Sequence, residues 1–175
     1  MMNDEDLKEY HNIGKKVIWN GTPKFKYQSI KRVDSESGRV YDINNEKLPS
    51  VTTILGATKS EESKAKLAAW RQREGEIRAD KIRDDAAARG TIMHRILEGY
   101  IKDEGHMDLT KLGQEAGTMA QNIIDKGHFR PLEEVWGLEM PLWYPGLYAG
   151  ASDVAGIYEG RESIIDFKQS NKYKK

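Results

Sequence analysis

Asp153 and Asp166 flank a stretch of the chain that reads as a tight hairpin, and the hairpin constrains everything around it. Tyr148 to Tyr158 and Arg161 to Lys168 carry strand-like patterning, and Glu159-Gly160 is a turn dipeptide between them. With those two residues as the loop, Tyr158 faces Arg161. Each outward step adds a pair, so Asp153 falls directly opposite Asp166. Opposed side chains of an antiparallel pair have Cβ atoms about 4.5–5.5 Å apart, and like charges there destabilise a sheet unless something positive lies between them. A divalent cation is the natural candidate. Lys168 follows Asp166 by two and points to the same face, while Ile165 and Phe167 point to the core.

Composition limits which cation. The chain has 175 residues, 38% of them hydrophobic and 32% charged, with a formal net charge of zero and no cysteine. Thiolate zinc sites, iron–sulfur clusters, disulfides and cysteine nucleophiles are thereby excluded. A metal must use Asp, Glu, His, carbonyls and water, which favours Mg²⁺ or Mn²⁺. No apolar run is long enough to span a bilayer, and Met1 to Tyr10 is polar and acidic, so a cytoplasmic protein without membrane contact is expected. The length suits one domain, expected over residues 14–175 behind a flexible N-terminus of residues 1–13.

Short apolar stretches alternate with turn material from Lys15 to Ile43, and Asp34 to Tyr41 reads as a hairpin connection. Leu48 to Leu55 is a compact segment entering a helical region. Ser60 and Ser63, with acids between them, mark a helix start. The helical stretch runs to about Arg89 with an interruption near Gly75, and its mixed charges suit a solvated face. Gly90 precedes a further expected helix, Thr91 to about Asp103, with an apolar stripe at Met93, Ile96, Leu97, Tyr100 and Ile101. Another covers about Leu109 to Lys126, and Leu132 to Leu142 reads as a strand. Trp70 reads as core. The order predicts a mixed α/β (α+β) domain.

His94 sits at the edge of its helix's apolar stripe, with Glu98 one turn on. A histidine there is either a boundary residue bonded to backbone or, as neutral imidazole, a ligand completing a carboxylate site. Asp153 has a plain alternative as a strand-edge acid, and Asp166 with Lys168 as an ion pair on an exposed sheet face. Taken together, the set suits phosphodiester hydrolysis. A metal there would polarise the phosphoryl oxygen and acidify bound water, while the lysine orients the attacking water or stabilises developing charge.

These residues resemble the PD-(D/E)XK nucleases, and within them the RecB-like exonuclease branch with its phage members. The matching pieces are Leu48-Pro49-Ser50-Val51-Thr52, Arg89-Gly90-Thr91 with His94 and Glu98, Gly150 to Asp153, and Asp166-Phe167-Lys168. The resemblance spans roughly Tyr41 to Lys175. It implies a restriction-endonuclease-like core, a mixed and largely antiparallel sheet flanked by helices. It also implies that His94, Asp153, Asp166 and the carbonyl of Phe167 bind Mg²⁺ or Mn²⁺, and that Lys168 is the catalytic lysine. Gln169-Ser170 replaces the family's frequent Thr-Ser. The family core continues past the lysine with a helix and a strand. This chain ends seven residues after Lys168, so a core lacking those two elements is expected, with a complementing C-terminal fragment or other replication and recombination proteins as partners.

The expected function is therefore metal-dependent exonuclease action on DNA, on single-stranded ends, in phage or bacterial replication, recombination or repair, in the host cytoplasm if the gene is a phage's. The alternative is a non-catalytic nucleic-acid-binding accessory subunit. Candidate substrate contacts are Ser50, Thr52, Thr53, Arg89, Gln169 and Lys172. The basic end at Lys172, Lys174 and Lys175, with Tyr173 for stacking, suits phosphate and base contact or is simply a basic tail.

Overall fold

The computed structural model describes residues 19–35, 38–106 and 108–170. Among these described residues, six strands and four helices follow in the order β1 (Lys31–Ser35), β2 (Gly38–Ile43), β3 (Glu46–Pro49), α1 (Val51–Ala57), α2 (Glu61–Glu74), α3 (Glu76–Lys102), α4 (Lys111–Asp125), β4 (Leu132–Tyr144), β5 (Tyr148–Tyr158) and β6 (Arg161–Ile165). The protein is α+β, with two three-stranded antiparallel sheets ordered β1-β2-β3 and β4-β5-β6. Ser50 and Ala149 add one isolated parallel bridge. No helix among the described residues is long and apolar enough to cross a membrane.

The described residues form two compact units. The first takes those of Met1–Phe25, Ala87–Leu138 and Asp153–Lys175; the second takes Lys26–Ala86 and Glu139–Ser152. In the first unit, Met93, Leu97 and Ile101 recur at helical spacing on α3 and meet Ala116 and Ala120 of α4, with Leu132, Val135, Val154 and Phe167 completing the core. The second unit has a smaller core of Tyr41, Ile43, Leu48 and Ala149, with Ile30 and Trp143 packed against it.

The β5–β6 hairpin has the expected register. Tyr158 pairs with Arg161, and the ladder runs out to Val154 opposite Ile165. Glu159 and Gly160 have φ of 50° and 70°, the two positive values a type I′ turn requires, matching the right-handed twist of the strands. Asn44 and Asn45, at 50° and 67°, repeat that device between β2 and β3. The strand expected to reach Lys168 instead stops at Ile165. The Phe167 N–H donates to the Asp153 side chain rather than to a strand.

Ser60 caps α2, its hydroxyl accepting from the Ser63 N–H, and Gly75 breaks the helical stretch with φ of 80°. Arg71 spans that break, bonding Glu76 and, at 3.0 Å, Asp80. Helix α2 has no buried residue, so Trp70, expected in a core, is only half-buried. The second expected break, at Gly90, does not occur. Gly90 lies inside the 27-residue α3, which continues to Lys102. It then ends at Asp103 (φ 61°), where the Glu104 N–H donates to the Gly99 carbonyl and the Asp103 N–H to that of Tyr100.

Gly156 of β5 lies close against the backbone of β4. A Cβ there would lie 1.9 Å from the Glu134 carbonyl oxygen, a backbone atom of β4. Gly156→Ala is expected to destabilise the protein by about 3 kcal/mol or more, since the sheet itself must shift. A lowered urea midpoint with unchanged slope checks this.

Candidate metal centre

Three parts of the first unit meet at Asp153. Helix α3 is held by its buried stripe, which leaves His94 on the flank with its side chain 29% exposed. Strand β5 supplies Asp153, itself only 8% exposed. The segment after β6 supplies Phe167, whose buried ring stands edge-on to His94 at 6.0 Å and to Phe129 at 5.8 Å between centroids. That aromatic packing fixes the Phe167 backbone beside the carboxylate.

Both Asp153 oxygens are used. Oδ2 accepts the Phe167 N–H at 2.5 Å, and Oδ1 lies 3.3 Å from His94 Nδ1. His94 Nε2 lies 2.9 Å from the Phe167 carbonyl oxygen. A carbonyl only accepts, so Nε2 carries the hydrogen. Burial pushes the Asp153 carboxyl up. The hydrogen bonds from His94 and the Phe167 N–H, with the electrostatic pull of His94 and Lys168, outweigh that effect and hold it below the usual carboxylate value.

Asp166 is placed differently. The ladder ends one step short of the Asp153–Asp166 pair, and the Asp166 carboxylate, 49% exposed, binds Lys168 Nζ at 2.6 and 2.7 Å. Asp166 and Lys168 line a cavity of about 420 Å³, whose other walls include Ile123, His128, Phe129 and Tyr158. Comparison with protein-family models, with curated proteins and with solved structures finds no match to this chain.

His94 bridges two groups through opposite ring nitrogens, the Asp153 carboxylate at Nδ1 and the Phe167 carbonyl at Nε2, and no thiolate is available. Glu98, one turn from His94, pairs with Lys102 at 2.6 Å. Arg89 and Gln169, expected to meet substrate, meet each other: Arg89 Nε donates to Gln169 Oε1 at 3.1 Å. Ser50, Thr52 and Thr53 belong to the second unit and are bonded internally. Ser50 is 2% exposed and caps α1, while Thr53 Oγ1 accepts the Arg39 N–H and donates to the Arg39 carbonyl. Lys172, Tyr173, Lys174 and Lys175 lie outside the described residues.

One residue at this site escaped sequence reasoning. Glu115 of α4 binds Arg89 Nη1 at 2.9 Å. Its helical pattern marks it as an ordinary surface acid, and only the docking of α4 on α3 gives it a partner.

The depressed Asp153 pKa sets an acid limb. A carboxyl with a folded pKa below its unfolded value of about 3.9 contributes fully above that value and loses the contribution as pH falls through the folded pKa. Stability is therefore expected to decline from about pH 4 downward. Asp153→Asn, which keeps an acceptor for the Phe167 N–H, should flatten that decline. Urea midpoints between pH 2.5 and 7 measure it; parallel curves for the two proteins would refute it.

Proposed function

We propose that this protein is a metal-dependent phosphodiester hydrolase acting on DNA, with a restriction-endonuclease-like core, digesting from single-stranded ends. The observation that carries the reading is the contact of His94 with both Asp153 and the Phe167 carbonyl, with the paired Asp166 and Lys168 flanking Phe167 on the same segment. Asp153 and His94 Nδ1 would hold Mg²⁺ or Mn²⁺, joined by Asp166 when it gives up Lys168, while the Phe167 carbonyl stays on His94 Nε2. The cation would supply electrophilic activation of the phosphoryl group and a more acidic water.

The chain's own residues account for the rest. Asp153 stays ionised at neutral pH because its hydrogen bonds outweigh its burial. His94 fixes the Phe167 carbonyl and so the direction in which the next residue, Lys168, leaves the backbone. Lys168 has a 74% exposed side chain and can swing from Asp166 toward a phosphate oxygen or an attacking water. The adjacent cavity offers room for the nucleotide being released. An apolar wall with two charged groups at its edge suits a base-and-phosphate ligand.

The test is release of nucleotides from end-labelled single-stranded DNA with Mg²⁺ or Mn²⁺. Asp153→Ala, Asp166→Ala and Lys168→Met should each lower the rate by about 100-fold or more, as loss of a single electrostatic stabiliser does elsewhere. Absence of cleavage by the intact chain, or full activity in all three variants, would sink the reading. Calorimetric Mn²⁺ titration separates the accessory-subunit alternative: binding of Mn²⁺ and DNA without turnover would favour it. Asp153→Ala is expected to weaken Mn²⁺ binding at least about tenfold, since it removes the charged ligand.

A further inference from the structure

Lys168 stands three residues beyond the last ladder pair, so something other than the sheet must hold it. Two contacts act at Phe167, through Asp153 and His94. Both engage groups that a cation would draw on. A third lies outside that set. Gln169 directly follows the lysine, and its Oε1 accepts from Arg89, which is 13% exposed and braced by Glu115 at 2.9 Å. A Cβ at Gly90 would lie 2.9 Å from Gln169 Nε2. A side chain there would make the Gln169 amide turn aside, away from the orientation in which Arg89 holds its other end.

The spacing fits on both sides. Gly90 and His94 are four apart on one side of α3, about 6 Å along its axis. Phe167 and Gln169 are two apart, about 6.6 Å in extended chain. Helix α3 therefore meets the segment on either side of Lys168, with His94 at the Phe167 carbonyl and Gly90 against the Gln169 side chain. The amide thus sits where a helical glycine, which costs about 1 kcal/mol relative to alanine, leaves room for it.

We propose that Arg89, Glu115 and Gly90 form a clamp on Gln169 that positions Lys168. The consequence for catalysis rests on the hydrolase reading; the clamp itself does not. Arg89, Gly90, Glu115 and Gln169 are positioning residues here, acting through the lysine.

The decisive measurement is ¹⁵N relaxation on the metal-free full chain. The Lys168 amide is expected near the rigid order parameter of about 0.85, falling below about 0.6 in Arg89→Ala, Glu115→Ala and Gln169→Ala. Glu115→Gln, which keeps an acceptor, should restore it. Gly90→Ala should loosen the lysine as well, and Gly90→Ala combined with Gln169→Ala should match Gln169→Ala alone, because the clash needs the amide. An unchanged Lys168 order parameter in Arg89→Ala and Gln169→Ala would overturn the clamp, whatever the activity. If Arg89→Ala does not fold, Gln169→Ala decides. With Mn²⁺ and single-stranded DNA at saturation, kcat should fall about tenfold or more in Gln169→Ala, while Mn²⁺ affinity stays within about twofold. A loosened lysine in a chain that cleaves no DNA would instead remove the hydrolase reading and leave the clamp standing.

Discussion

The buried carboxylate of Asp153 is the interaction on which the first unit turns. A charge at 8% exposure is tolerable only if hydrogen bonds replace the water it has lost. Here they come from the chain on one side and from a helix on the other, through the Phe167 N–H and His94. Satisfying Asp153 draws Phe167 out of the ladder, and the Phe167 ring then seals the core between His94 and Phe129. One electrostatic requirement thus ends a strand, docks a helix and orders the segment that carries Lys168.

The helices show the same dependence on tertiary need. Gly75 and Gly90 are both glycines within an otherwise helical sequence, yet only Gly75 breaks it. Gly75 adopts a positive φ and closes α2 with its N–H on the Arg71 carbonyl. Gly90 stays helical, because what matters there is the room it leaves for a side chain arriving from 79 residues later in the chain. Nothing local distinguishes the two.

That contrast marks what could be read in advance. The hairpin register followed from counting, because the side-chain period of a strand is two and Glu159-Gly160 suits its turn. The Ser60 cap followed from local chemistry, as did the core stripe Met93, Leu97 and Ile101 from its period. Residues whose roles are set at a distance were not legible in that way. The Asp153–Asp166 juxtaposition assumed that β6 continues, which fails once Phe167 turns its N–H to a side chain. Ser50, Thr52 and Thr53 looked like available hydroxyls, but the start of α1 and the Arg39 backbone engage them. Glu115 carried no signal until α4 was packed.

Strand β6 has a further consequence, for handling rather than catalysis. Among the described residues it ends the order β4-β5-β6, with Ile164 68% exposed, and an outermost strand is where another chain can add one. Arg161 and Glu162 guard one end of that strand, Asp166 and Lys168 the other. Charged residues flanking an exposed strand are the usual device that discourages such pairing.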